Sequence, residues 1–215
     1  MIPDLSPWGD VRDLTLVPGG ARRRALRGIL NGQPVIAKSN ALPEPSLRWQ
    51  LRIEAAARRA GFVTPGLLET RRGTLSAHGW TVEPFLTGCP ATPADLRAAP
   101  FARFHAHAHR IPSRPGLRRR LPAKWDRLSR LPGPLGGLHG DLHPGNILRV
   151  SSGRLALLDW EEARRAPLAI DRAAPGSRDH LRAELAACAW PERARATAMA
   201  RTLRRYPDRP RPRSA

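Results

Sequence analysis

The chain has 215 residues, 41 % of them apolar, with 37 basic against 18 acidic side chains and a formal charge of +19. That length suits one two-lobed domain or two small ones with a real core, and the apolar share excludes a disordered chain. No run approaches the ~20 apolar residues of a membrane span, the N-terminus lacks a secretory pattern, and two cysteines (Cys89 and Cys188) cannot make a disulfide framework, so a cytoplasmic setting is expected. Nearly every basic residue is Arg, spread along the whole length, with Lys38 and Lys124 the exceptions. Aromatic residues make up 5 %, which leaves little to stack on bases. The charge therefore favours phosphate-bearing ligands over nucleic acid.

After a polar lead-in over 1–12, short apolar runs alternate with turns. Residues 14–17 read as a strand, 18–21 as a turn carrying Gly19 and Gly20, 24–30 as a returning strand, and Asn31-Gly32 as a hairpin turn of the favoured type. Val35-Ile-Ala-Lys38 is then a third strand. Gly19 and Gly20 would let backbone amides approach phosphate oxygens. A full G-x-G-x-x-G is not present, so taken alone the hairpin reads equally as an ordinary one. Lys38 stands out in a chain that otherwise uses Arg, because a compact ammonium suits a phosphate clamp better than a forked guanidinium.

Pro43 and Pro45 break the chain, and Ser46 is placed to cap a helix that runs to Ala60 and stops at Gly61, with Leu47, Leu51, Ala55 and Ala57 as its apolar positions. Glu54, the one acid between Ser46 and Ala60, is either the ion-pair partner of Lys38 or an i,i+4 partner of Arg58. Residues 63–68 and 74–86 read as further strands, and Trp80 to Gly88 as the last strand and a connector. The connector would offer the Glu83 carbonyl and the Phe85 amide to an adenine edge, since Pro84 has no N–H. Thr92 or Asp95 starts a helix reaching His109. His105 and His109 share a helical face, but without a following Glu or a third ligand they read as a packed or partly exposed cluster and not as a zinc site. Residues 112–134, with Arg118-Arg119-Arg120, form a basic, Pro-rich linker.

The most informative stretch follows: His139-Gly-Asp-Leu-His-Pro-Gly-Asn146, a turn at Ser151-Ser-Gly153, a short apolar strand from Arg154 to Leu158, and Asp159-Trp-Glu161. H-x-D-x-x-x-x-N closed by a strand ending in Asp is the phosphoryl-transfer pattern of kinase-like folds. Asp141 would reach an attacking hydroxyl while Asn146 returns to a metal ion, and the strand delivers Asp159 to that ion from the other side. Beyond it, Pro167-Leu-Ala-Ile-Asp171-Arg-Ala173 begins a helical run, two Ala/Arg-rich helices are expected near 177–189 and 191–205, and 206–215 is a disordered Pro/Arg tail.

The H-G-D-L-H-P-G-N loop, the L-L-D-W-E strand end and the P-L-A-I-D-R-A segment resemble the aminoglycoside phosphotransferase and choline kinase-like small-molecule kinases, over about residues 14–175. The resemblance implies an α+β, two-lobed protein-kinase-like fold: a β-rich lobe over 1–84, a mainly helical lobe over 85–205 with a shortened C-terminal region, and the tail. It implies ATP and Mg2+ as cofactors, with Asp141 as catalytic base, Asn146 and Asp159 on Mg2+, and Lys38 on the nucleotide phosphates oriented by Glu54. It makes His139 and Asp171 supports of the catalytic loop. No A-P-E segment closes an activation loop, which favours a small hydroxyl-bearing acceptor over a protein. The Arg-rich composition fits a hydroxylated metabolite or sugar, anionic ones included, better than a polycationic drug. A protein kinase and a catalytically silent nucleotide-binding regulator are the alternative readings.

Overall fold

The computed structural model describes residues 3–17, 24–116, 134–142, 144–168 and 171. Gly19, Gly20, the arginine run at 118–120, the helices expected at 177–189 and 191–205 and the tail lie outside them.

Four antiparallel strands, β1 (Val11–Leu16), β2 (Ala25–Leu30), β3 (Gln33–Ser39) and β4 (Trp80–Pro84), form a sheet in the order β1-β2-β3-β4. The β2–β3 turn is the expected Asn31-Gly32 pair, both left-handed at φ 51° and 77°, which matches the twist of the strands it joins. Period-two alternation sends Leu26, Leu30, Val35, Ala37 and Val82 to one face, where they pack with Leu5 and Trp8 of the lead-in. The opposite face carries Ile36 and Lys38 of β3 beside Glu83 and Thr81 of β4, which are their cross-strand partners.

Helix α1 (Glu44–Ala60) begins at Pro43 with no side-chain cap, and Pro45 sits in its first turn. Ser46 is not the cap expected of it; it is buried inside the helix. Gly61 ends the helix at φ 110°, its amide reaching the Ala57 and Arg58 carbonyls. The buried stripe is Trp49, Ile53, Ala56, Ala57 and Ala60, an i, i+4, i+7, i+8, i+11 series. Leu51 and Ala55, expected on that stripe, are half-buried beside it. The stripe joins Phe62, Phe104, Ala108, Leu142, Ile147, Leu157 and Trp160 in one core, so α1 packs with the His139–Asn146 loop and its following strand.

The helix expected from Thr92 to His109 is two, α2 (Pro93–Ala98) and α3 (Phe101–Ala108), interrupted at Pro100. Thr92 caps α2 in a reciprocal capping box with Asp95. Strands β5 (Cys89–Pro90), β7 (Ile147–Arg149) and β8 (Leu155–Leu157) make a small sheet in the order β5-β7-β8, and β6 (Leu135–Leu138) pairs with β9 (Arg164–Pro167). Residues 63–68 add no strand to the main sheet; Val63 instead bonds β8, its amide to Leu155 and its carbonyl from Leu157. Strand β6 is hidden in the sequence by Gly136-Gly137. A Cβ on Gly137 would lie 2.9 Å from the Ala108 carbonyl oxygen, so glycine is what lets α3 lie against the strand. Among the described residues no helix is long and apolar enough to cross a membrane.

Candidate active site

The loop entered from β6 is held by one buried carboxylate. Asp171 accepts the backbone amides of His139 (2.8 Å) and Gly140 (3.0 Å), and its Oδ2 also meets His105 Nε2 at 3.1 Å. Burial alone would raise this carboxyl, but the hydrogen bonds from His105 and from the Gly140 amide outweigh it and hold it below the ordinary carboxylate range. His139 is fully buried against the Trp160 ring, centroids 4.6 Å apart. Its Nε2 lies 2.7 Å from the Leu158 carbonyl and its Nδ1 accepts the Asp141 amide at 3.3 Å, and these partners assign the neutral Nε2–H tautomer. His139 therefore fastens the loop to the end of β8.

Beyond Asp141 a single 3-10 turn (Pro144–Asn146) brings Asn146 back. Its Nδ2 donates to the Asp141 carbonyl (3.0 Å) and to Asp141 Oδ2 (3.2 Å), which fixes the amide orientation and leaves Oδ1 as the atom able to serve a cation. The Leu158 amide donates to the Asn146 carbonyl at 2.9 Å, so Asp159 follows directly from a residue tied to Asn146. Asp159 is left-handed (φ 63°, ψ 59°), a conformation Asp tolerates better than most side chains, and it turns the chain into a 3-10 turn at Trp160–Glu162. From the sheet, Lys38 Nζ reaches Asp159 Oδ1 at 3.4 Å. Asp141, Asn146, Asp159 and Lys38 thus form one chain of contacts.

Three expected contacts are placed otherwise. Lys38 does not meet Glu54; its nearer carboxylate is Glu83, at 2.7 Å. Burial would lower the Lys38 ammonium, yet Glu83 and then Asp159 outweigh that and hold it above its ordinary value. Glu54 lies fully buried on α1, accepting from Gln50 Nε2 (3.0 Å) and the Gly66 amide (2.8 Å), with Arg58 3.7 Å away. Desolvation raises its pKa. The Phe85 amide is taken by the Pro34 carbonyl at 3.0 Å, and Ile36↔Glu83 is the next hydrogen-bonded pair of the same ladder, so neither Phe85 N–H nor the Glu83 carbonyl faces outward. The outward groups are those one residue on. The Val82 carbonyl already accepts from Leu68 (2.8 Å), which leaves the Pro84 carbonyl on that side.

One residue escaped the sequence reading. Arg114, 6 % exposed, clasps α1 to the Asp159 turn: Nε donates to Ser46 Oγ (2.7 Å), NH2 to Gln50 Oε1 (3.2 Å), and NH1 to the carbonyls of Trp160, Glu161 and Ala163 (3.2, 2.9 and 2.9 Å). Its planar fork is what lets one side chain serve two elements. Arg114→Met is expected to cost about 3 kcal/mol, because hydrogen bonds from a charged donor are worth roughly 1.5–3 kcal/mol each and several polar groups lose their partner. Thermal unfolding checks the loss, and a Mg2+ titration in the presence of ATP should show weaker metal affinity as the Asp159 turn loosens. His105 was expected in a histidine cluster, but its partner was not foreseen. It is buried on Asp171 while His109 is exposed, so the pair splits between support and surface. Among the described residues no group of three His, Cys, Asp or Glu could hold a metal.

A cavity of about 560 Å3 lies on the other face of the sheet, lined by Trp8, Leu30, Val35, Leu68 and Phe85, away from Lys38. Around Lys38, Glu83 and Asp159 only about 20 Å3 is open. Chemistry, and not volume, marks the site.

Known structures carry the same fold at low identity. An aminoglycoside phosphotransferase from Alicyclobacillus acidocaldarius superposes with a TM-score of 0.54 at 15 % identity, over 96 % of this chain and 94 % of its own. A spectinomycin phosphotransferase gives 0.56 at 15 % identity over 75 % and 67 %, and a choline kinase from Streptococcus pneumoniae 0.50 at 15 % over 92 % and 76 %. No curated protein sequence matches the chain significantly. The sequence model of one family, described as a phosphotransferase enzyme family, matches residues 97–214, which is more than half the chain and contains the whole His139–Asp159 arrangement. With that match and the kinase-like architecture of its structural neighbours, the chain belongs to the phosphotransferase enzyme family.

Proposed function

We propose that this protein transfers the γ-phosphoryl group of ATP to a hydroxyl of a small molecule, working between a lobe over 1–84 and a lobe over 85–205. The observation that carries the reading is the contact chain from Asp141 through Asn146 and Leu158 to Asp159 and Lys38. Phosphoryl transfer asks little covalent chemistry of a protein; it asks for positioning and for positive charge where the phosphate charge spreads.

The oxygens of Asn146 and Asp159 fit Mg2+, a hard cation that binds through one or two carboxylates together with phosphate oxygens and waters. Bound by these two residues, Mg2+ would supply charge neutralisation to the transferred group. Lys38 adds its ammonium to the phosphates. Asp141, tied through its backbone to His139 and Asn146, orients the acceptor hydroxyl and takes its proton. The Pro84 carbonyl would offer an acceptor to an adenine amino group. The spectinomycin phosphotransferase that shares the fold was determined with ADP and spectinomycin, which supports a nucleotide and a small acceptor here.

Calorimetric titration with ATP, with and without Mg2+, on the wild type and on Asp159→Asn, tests the reading. Asn tolerates the left-handed backbone of residue 159, so the variant removes charge without forcing the turn. Binding should require Mg2+ in the wild type and weaken at least tenfold in the variant. Binding indifferent to both would reduce the site to a basic surface that collects phosphate.

A further inference from the structure

We infer that Glu83, on the sheet, is the residue that positions Lys38 for the nucleotide, and that Glu54, on α1, serves to anchor its helix. This rests on the phosphotransferase reading above and goes further, because it assigns the lysine's orientation to the strand ladder and releases it from the position of α1.

Three observations support it. The first is register. Lys38 pairs across the sheet with Thr81 and Ile36 with Glu83, so Lys38 and Glu83 are diagonal neighbours on one face of adjacent strands. An ion pair fixed in this way is formed whenever the sheet is formed, and needs no helix to swing in. The second is distance and enclosure: Nζ to Oε1 is 2.7 Å, with side chains 20 % and 10 % exposed. The third is that Glu54 is committed elsewhere. Its two oxygens accept from Gln50 and from the Gly66 backbone, which joins α1 to the segment leading toward β4. Moving it to Lys38 would strand the buried Gln50 amide and the half-buried Gly66 amide. The α1 stripe packs with the Asp141 loop core, so the helix is held on that side by Trp49, Ile53 and Ala57 as well.

Glu83 also explains how Lys38 is shared. The ammonium sits between Glu83 and Asp159, at 2.7 and 3.4 Å. When Asp159 turns to a cation, the Glu83 contact is the one that remains to aim Nζ at phosphate.

The test compares Glu83→Gln with Glu54→Gln, reading nucleotide affinity, melting temperature and the Lys38 ammonium itself. The chain has two lysines, so lysine-selective 15N labelling yields two side-chain signals, and the enclosed Lys38 ammonium should exchange slowly with water. Glu83→Gln is expected to speed that exchange and to weaken Mg2+–ATP binding tenfold or more, and to lower the melting temperature as well, since an enclosed ammonium loses the nearer of its two carboxylates. Glu54→Gln is expected to lower the melting temperature, leaving the Lys38 signal in place and affinity within about twofold. Glu83→Asp, which keeps the charge and shortens the reach, should recover part of the lost affinity. The reverse pattern, with Lys38 exchange and affinity sensitive to Glu54 and not to Glu83, would overturn the assignment. A wild type whose Lys38 signal depends on Glu83 but which binds no nucleotide would instead overturn the phosphotransferase reading and leave the ion pair standing.

Discussion

Asp141→Ala is expected to lower phosphoryl transfer by about 10²–10⁴-fold, the usual contribution of a positioned general base. ADP release, measured with an acceptor alcohol found by screening or as basal ATP hydrolysis, reads this directly. Mg2+–ATP affinity should stay within about threefold of the wild type. The separation follows from the geometry. Asn146 is held by the Asp141 backbone carbonyl as well as by its carboxylate, and the Asp141 amide bonds His139, so the loop keeps its course when the side chain is cut back. Wild-type turnover in this variant would remove Asp141 from the chemistry.

The largest loss of stability is expected at Asp171. Truncation to Ala leaves the His139 and Gly140 amides and His105 Nε2 without their acceptor, in a position 2 % exposed. Breaking such a buried charged network costs on the order of 3–5 kcal/mol, a fall of roughly 10 °C in melting temperature for a chain of this size. Asp171→Asn should recover only part, since an amide has one oxygen for three donors and brings N–H groups of its own. The pH dependence has a definite sign. The native carboxyl titrates below its unfolded value, so its contribution is complete above about pH 4 and is lost as the pH falls through the lower native value. Acid unfolding followed by circular dichroism should therefore be steeper in the wild type than in Asp171→Ala, whose stability has no such carboxylate to lose.

What the sequence disclosed is what depends on neighbours in the chain. The Asn31-Gly32 turn needs two consecutive left-handed residues, and that pair supplies them. The strand ending at Asp159 and the loop around Asp141 are short segments whose spacing carries their geometry. The Lys38 partner was harder to read, because it depends on which face of α1 is buried. Spacing offered Leu47, Leu51, Ala55 and Ala57; Leu47 and Ala57 are buried, but Trp49, Ile53 and Ala56 replace Leu51 and Ala55, and that rotation carries Glu54 inward to Gly66. Glu83 was noticed for its carbonyl, but strand parity turns that carbonyl into the ladder and the side chain toward Lys38. Arg114 had no distinguishing signal in a chain where Arg is everywhere. Strand β6 was hidden by its two glycines, whose place in a strand makes sense only with α3 lying against them. Helical spacing placed His105 in a cluster, but its partner Asp171 lies 66 residues away and local pattern does not reach that far.

Gly140 ties these observations to how the protein can change. It sits at φ 83°, and a Cβ there would lie 2.5 Å from the Glu162 carbonyl oxygen. The strand that leads to Asp141 and the turn that follows Asp159 therefore touch main chain against main chain. Two halves of the site are registered by a contact that no side chain mediates and that substitution around it leaves intact. Such a joint tolerates drift: lining residues can be exchanged one by one, and acceptor preference can diverge between descendants, while the distance between the halves is inherited unchanged. The position that cannot drift is the glycine, since any side chain there would wedge the halves apart whatever the acceptor.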